Sequence, residues 1–160
     1  MYWEPRIKTY GIAERTGLTM TSVEVPAEAA AAWGPPPAGI RDADGWVLAL
    51  AHPAGDRRTC LHLLTEAGAE APLASLPEGR DAEQTAVAVV FWQGPHYGDR
   101  YGIATAALEG ALRAELPVLA FACTGSSIYL VVPESSGRAA REAMEAVFLV
   151  PGADPEGRPS

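Results

Sequence analysis

The sequence predicts an α+β fold made of two ferredoxin-like βαββαβ units with antiparallel sheets, the first of them degenerate. Two observations predict it. The second half reads in order as strand, helix, strand, strand and helix, and the apolar residues 148–151 can supply a last strand. The first half repeats this order less clearly after roughly seventy residues, a period that is too long for a solenoid and suits two adjacent domains.

Composition limits the class of protein before any motif is considered. The 160 residues are 48% hydrophobic and 20% charged, and the net charge of -8 disfavours nucleic acid or an anionic membrane surface as a partner. The apolar runs are too short to cross a bilayer, and no secretory signal is visible. The two cysteines fit a reducing interior. We therefore expect a cytoplasmic protein.

The first half begins with two predicted strands and a short helix. Residues 6–13 form an extra N-terminal strand, and residues 18–25 form a second strand. Apolar residues of the second strand change from even to odd positions between Met20 and Val23, which indicates a bulge. Residues 27–33 predict a helix of about two turns that ends before a run of prolines.

A strand, a helix and a closing strand complete the predicted first unit. Residues 46–51 form the strand, and Asp56 caps a helix whose apolar positions end at Gly68. Residues 73–76 can close the unit. The polar, turn-rich residues 79–84 then predict a linker between the two units.

The second half is more regular. Residues 85–92 are rich in strand formers and lack turn residues, so they predict a buried strand, and apolar residues recur at helical spacing over 103–112. Residues 118–123 and 127–133 predict a hairpin, and a following serine can cap the last helix. The predicted boundaries are 1–78 for the first unit, 79–84 for the linker, 85–151 for the second unit and 152–160 for a flexible tail.

Four stretches of the second half carry a resemblance to a known family. They are Val-Val-Phe-Trp-Gln-Gly at 89–94, Tyr-Gly-Ile-Ala at 101–104, Leu-Pro-Val-Leu-Ala at 116–120, and the strand and helix over 127–148. In this order they resemble the ACT domain, a small amino-acid-sensing fold, and more narrowly the C-terminal regulatory region of aspartokinase. The chain is similar to a tandem ACT protein without a kinase domain.

That resemblance implies a non-catalytic, amino-acid-binding regulatory protein of amino-acid metabolism. In ACT pairs the effector lies between the first loop of one unit and the second strand of its neighbour. Backbone amides at the helix start and Arg100 would hold an α-carboxylate, and Asp99 would pair with an α-ammonium. Open sheet edges of this kind favour a homodimer, joined through sheet edges or helices. The implied ligand-binding residues are His96, Tyr97, Gly98, Asp99, Arg100, Tyr101, Gly102, Ile103 and Val118.

The sequence departs from the family pattern at both expected sites. Tyr101 stands where the family has proline, and Pro117, which lacks an N–H, replaces a frequent asparagine. In the first unit Pro26 runs directly into the helix, without the Pro-Gly of the loop. We therefore expect the first site to be inactive and the second to be altered or empty. The alternative function is a degenerate ACT pair that acts as a protein-interaction or structural module with no small-molecule ligand.

Catalysis has little support in the sequence. His96 and Asp99 offer a general acid–base pair, which predicts that the two side chains lie within hydrogen-bond reach in a cleft. Ser126 and Ser127 follow a glycine but lack the Gly-x-Ser-x-Gly pattern of a nucleophile, so they are predicted to be hairpin residues. We expect no enzyme activity and no cofactor.

Two sets of residues are candidate metal ligands. Cys60 and His62 with His52 form one set, and Cys123 with His96 forms the other. Neither set has the spacing of a known metal site. Cys60 also falls on the apolar face of the predicted helix, where a buried thiol is common. We therefore predict no metal site.

Overall fold

The computed structural model describes residues 7–32, 48–68, 82–95, 97 and 101–150. The chain divides into two compact units: Met1–Thr16 with Ala88–Ser160, here called the discontinuous unit, and Gly17–Val87, here called the continuous unit. The N-terminal segment thus groups with the second half of the chain, whereas the predicted boundaries assign it to the first. The predicted closing strand at 73–76 and the tail at 152–160 lie outside the described residues.

The elements of the described residues follow one another in this order along the chain. They are β1 (Ile7–Lys8), β2 (Gly11–Pro26), α1 (Ala27–Ala32), β3 (Leu48–Gly55), β4 (Arg58–Glu66), β5 (Glu83–Gln93), α2 (Ile103–Arg113), β6 (Ala120–Cys123), β7 (Ser127–Pro133), a 3-10 turn (Glu134–Ser136), α3 (Gly137–Val147) and β8 (Phe148–Leu149). No helix among the described residues has the length and apolar character needed to span a membrane.

The discontinuous unit has the predicted order β5–α2–β6–β7–α3–β8. Its sheet places β7 between β5 and β6, and β6 and β7 form the predicted antiparallel hairpin. The short β8 pairs in parallel with β1. Alternate residues of β5 and β7 face α2 and α3, because side chains alternate along a strand. The core consists of Ala88, Val90, Trp92, Tyr97, Ile103, Ala107, Ala111, Ile128, Leu130, Val132, Ala140, Met144 and Phe148.

Helices α2 and α3 approach each other closely at Gly110. A Cβ on Gly110 would lie 2.6 Å from Cγ2 of Val147 and 3.3 Å from Cε of Met144. Only a residue without a side chain permits this spacing. The two helices therefore form one closely packed layer, which fixes the position of α2 and of the residues at its start.

In the continuous unit β3, β4 and β2 are neighbours in that order and pair antiparallel, and α1 packs against β4. The predicted helix at 27–33 is confirmed as α1 over Ala27–Ala32. The core of the unit consists of Val23, Val25, Leu61 and Leu63, with Ala29 and Ala30 of α1 packed against them.

The prediction of a helix after Asp56 is wrong, because the segment that follows is β4, the second strand of a β-hairpin. Asp56 and Arg57 both have positive φ, 43° and 59°, as the central residues of a type I′ turn require. Gly55 and Arg58 consequently face each other across a two-residue turn. A short apolar run of this length fits either a strand or a buried helix. Here the type I′ turn places the run beside β3, so it forms a strand.

The predicted bulge in the second strand is also wrong with respect to β4. Strand β2 pairs with β4 from Leu18 to Pro26 without a register shift. Leu18 and Met20 are buried on one face of the strand, and Val23 and Val25 are buried on the other. The apolar positions therefore change from even to odd because the buried face changes. A strand that is covered in part on each face produces the same shift of apolar positions in the sequence as a bulge does.

Candidate functional site

The implied ligand loop ends at the start of α2, which lies within the described residues. Gly102 has φ 84° and ψ 1°, a left-handed conformation that disfavours any residue with a side chain. Its carbonyl oxygen accepts the N–H of Ala106 at 2.9 Å, so the first helical turn begins here. Ile103 is buried in the core and anchors that turn.

Within the part of the chain that the structure describes, no side chain caps the N-terminus of α2, and the first turn contains no acidic residue. The first N–H groups of a helix have no partner within the helix, and together with the helix dipole they attract anions. Among the described residues, this end of α2 therefore combines backbone donors with partial positive charge.

Tyr97 belongs to the core rather than to an open surface. Its side chain is only 6% exposed. The ring covers Gly94, where an added Cβ would lie 2.1 Å from Cε1 of Tyr97 and 2.5 Å from the carbonyl oxygen of Lys8. The structure thus gives Tyr97 a packing role against Gly94, just after the end of β5.

Of the other residues implied to bind a ligand, the structure describes some and not others. Tyr101 is fully exposed, at 100%. Val118 is also exposed, and its N–H donates to the carbonyl oxygen of Leu116 at 2.9 Å, just before β6. Contact of either residue with a ligand stays a prediction. His96, Gly98, Asp99 and Arg100 lie outside the described residues, so the roles implied for them, including the acid–base pair, also stay predictions.

A pocket that sequence analysis did not find lies beside β1 and β8. It has a volume of about 320 Å³. Thr9 fixes one wall, because its hydroxyl donates to the carbonyl oxygen of Gln93 at 2.6 Å and its N–H donates to Leu149 at 3.0 Å. The walls are almost entirely apolar, so the pocket offers little polar recognition. The lining residues are Lys8, Thr9, Tyr10, Pro95 and Leu149.

In the continuous unit, His52, Cys60 and His62 lie together on one face of the β3–β4 hairpin. Nε2 of His52 is 3.1 Å from Nε2 of His62, and Sγ of Cys60 is 3.5 Å from the same His62 atom. Because β4 is a strand, Cys60 and His62 share a face, and Cys60 is paired directly with His52. The expectation that Cys60 lies on an apolar helical face is therefore wrong.

Burial and neighbouring charge shift two of these groups. Burial, followed by the charge of Glu24, raises the pKa of the Cys60 thiol above its ordinary value. Burial, followed by the charge of His52, lowers the pKa of His62. Both shifts favour the neutral forms, as partial removal from water does in general.

Comparison with solved structures finds the fold of this chain in regulatory parts of aspartate kinase. The regulatory subunit of aspartate kinase from Thermus thermophilus, in its ligand-free form, is 15% identical with a TM-score of 0.66 over 88% of this chain and 98% of that one. A putative C-terminal regulatory domain of aspartate kinase from Porphyromonas gingivalis is 11% identical with a TM-score of 0.58 over 87% and 96%. The resemblance seen in the sequence is thereby confirmed at the level of fold.

The chain also matches part of a complete enzyme. Aspartokinase III of Escherichia coli, in complex with lysine and aspartate in its T-state, is 12% identical with a TM-score of 0.55. The match covers 92% of this chain but 35% of the enzyme, so the chain spans about a third of its length. No model of a protein family and no curated protein matches the sequence.

Proposed function

We propose that this chain is a non-catalytic regulatory protein of amino-acid metabolism, a tandem ACT sensor that binds an amino acid at the start of α2. The observation that carries the proposal is the left-handed backbone of Gly102 at the N-terminus of α2, which no described side chain caps. A glycine there lets a ligand approach the backbone, and the first-turn amides suit a carboxylate. The fold shared with regulatory subunits of aspartate kinase supports a regulatory role.

The proposal assigns a role to each part of the amino acid. The α-carboxylate accepts hydrogen bonds from the first-turn amides and from Arg100, and Asp99 pairs with the α-ammonium. The segment around Val118 faces the ligand from a neighbouring ferredoxin-like unit, in the same chain or in a second copy. Binding then stabilises one arrangement of a homodimer, because a ligand shifts an equilibrium toward the state that it binds more tightly.

A thermal-shift panel with each of the twenty amino acids tests this proposal. A ligand at one hundred times its dissociation constant stabilises the folded protein by about 2.7 kcal/mol, so the melting temperature should rise with one amino acid or a small related group. Gly102→Val and Arg100→Ala should abolish the rise, because they block or remove the proposed carboxylate contacts.

Two controls separate ligand contact from loss of stability. Gly68 also has a positive φ, 88°, with open space around it, so Gly68→Val introduces similar backbone strain in the continuous unit and should preserve the ligand-induced rise. Arg113→Ala removes an exposed cation from the other end of α2 and should also preserve it. A flat panel, or a rise that survives Gly102→Val, contradicts the proposal.

Exposed apolar side chains support the second candidate function, a protein-interaction module. Leu112 is 78% exposed, Leu108 lies one turn before it on α2, and Leu119 is exposed just before β6. Leu108 and Leu112 are neighbours on one helix, and adjacent exposed apolar side chains suit contact with another protein or a second copy of the chain. A flat amino-acid panel would favour this function.

Leu108→Glu combined with Leu112→Glu should lower the association state of the chain without unfolding it. Both residues are exposed, so the free energy of unfolding of a dissociated chain should change by only about 0.5 kcal/mol. Sedimentation velocity measures the association state, and urea unfolding measures the stability. Arg113→Glu is the matched control, since it adds negative charge to α2 without removing apolar surface. An unchanged sedimentation coefficient in the double variant contradicts an interface on this face.

A further inference from the structure

We propose that His52, Cys60 and His62 form a binding site for a divalent transition-metal ion, with Zn²⁺ as the expected occupant. The three side chains each offer one ligand atom, and these atoms lie within 4.8 Å of one another. Imidazole nitrogen and thiolate sulfur are the donors that zinc prefers, whereas magnesium and calcium require oxygen. All three residues belong to the continuous unit, so the site is independent of the amino-acid site proposed on α2.

Two of the three separations between the ligand atoms are close to those around a tetrahedral ion. With zinc–nitrogen and zinc–sulfur bonds of ordinary length, two nitrogens lie about 3.3 Å apart, and a nitrogen and a sulfur lie about 3.6 Å apart. The observed separations are 3.1 Å between the two Nε2 atoms and 3.5 Å between Cys60 Sγ and His62 Nε2. The third pair, the ligand atoms of His52 and Cys60, lies within 4.8 Å, so a side-chain movement of at most about 1 Å seats the ion.

Hydrogen bonds on the far side of each ring orient both imidazoles. Nδ1 of His52 lies 3.1 Å from the carbonyl oxygen of Pro53, which can only accept, so this nitrogen carries the hydrogen and Nε2 keeps its lone pair. Nδ1 of His62 lies 2.7 Å from Oγ of Ser22, a hydroxyl that can accept the same kind of bond. Histidines that bind metals are held in this way, with one nitrogen on a protein acceptor and the other on the ion.

The strand register explains why these residues converge although their sequence spacing matches no common motif. Cys60 is paired with His52 on β3 and with Glu24 on β2, and His62 is paired with Ser22. The site thus takes its ligands from two paired strands instead of from one helix or loop. Three protein ligands leave the fourth tetrahedral position for water or an added ligand.

Cobalt substitution tests the site in the untagged, metal-free full chain. Co²⁺ should bind with a stoichiometry of one per chain and produce tetrahedral d–d bands together with a thiolate-to-cobalt charge-transfer band, and Zn²⁺ should displace it. Cys60→Ser should remove the charge-transfer band. His52→Ala and His62→Ala should each weaken Zn²⁺ binding, measured by competition with a chromophoric chelator, on the order of 100-fold. Ser22→Ala, which removes an orienting contact, should weaken it by about 10-fold.

The chain supplies its own controls. Cys123 is the only other cysteine and His96 the only other histidine, so Cys123→Ser and His96→Ala should leave the spectrum and the affinity unchanged. Circular dichroism melts without metal establish that each variant folds, and Zn²⁺ should raise the melting temperature of the parent but not that of Cys60→Ser. Absence of stoichiometric binding, a charge-transfer band that survives Cys60→Ser, or one that disappears in Cys123→Ser overturns the proposal.

Discussion

Replacement of Trp92 by alanine should destabilise the discontinuous unit by about 3–5 kcal/mol. Trp92 is 1% exposed and lies at the centre of the core, with its ring centroid 5.1 Å from that of Phe148. Truncation removes one of the largest buried side chains and leaves a cavity between β5 and β8 that the surrounding helices cannot fill. The lost aromatic contact adds to the cost.

Urea unfolding followed by far-ultraviolet circular dichroism measures this change. Tyr101→Ala is the matched control, since it truncates an aromatic residue of the same unit that is fully exposed, and its effect should stay within about 0.5 kcal/mol. A loss below about 1 kcal/mol for Trp92→Ala would mean that the residue does not occupy a close-packed core.

Gly94→Ala should destabilise the same unit by about 3 kcal/mol, although it adds a single methyl group. The added carbon would lie 2.1 Å from the ring of Tyr97 and 2.5 Å from the carbonyl oxygen of Lys8. One of these neighbours is backbone and the other is a buried ring, so neither can move without disturbing the core.

Gly125→Ala provides the comparison for this substitution. Gly125 lies in the turn between β6 and β7, and nothing would lie within 4 Å of an added Cβ. Chemical unfolding of both variants should show a large loss for Gly94→Ala and a change within about 0.5 kcal/mol for Gly125→Ala. Equal effects would contradict the close packing of Tyr97 on Gly94.

The sequence predicts the elements from β5 to β8 well because their signals are local, although it assigns the N-terminal segment to the other unit. Residues 85–92 form a continuous apolar run, and apolar residues recur at helical spacing in α2 and α3. The pattern within each segment therefore indicates its type of secondary structure. The continuous unit was harder to predict. The apolar run that includes Leu61, Leu63 and Leu64 fits the spacing of a strand or of a helix. The type I′ turn at Asp56 also resembles a helix cap in sequence.

The candidate sites differ in how far the sequence could predict them. The glycine at the start of α2 follows from a local motif, and the structure gives it the left-handed backbone that such a motif needs. His52, Cys60 and His62 are a candidate set in the sequence, but their spacing predicts no metal site, because their proximity depends on the register of two strands, one of which the sequence predicts as a helix. A cluster formed by cross-strand pairing leaves no fixed spacing in the sequence.

The most direct test of amino-acid binding at α2 is an amide ¹⁵N–¹H correlation spectrum recorded during titration with each of the twenty amino acids. The proposed function predicts saturable shifts for one amino acid that are largest at the amides of Gly102, Ile103 and Ala104, which form the start of the helix. Shifts that are absent for all twenty amino acids, or that cluster away from these amides, would contradict it.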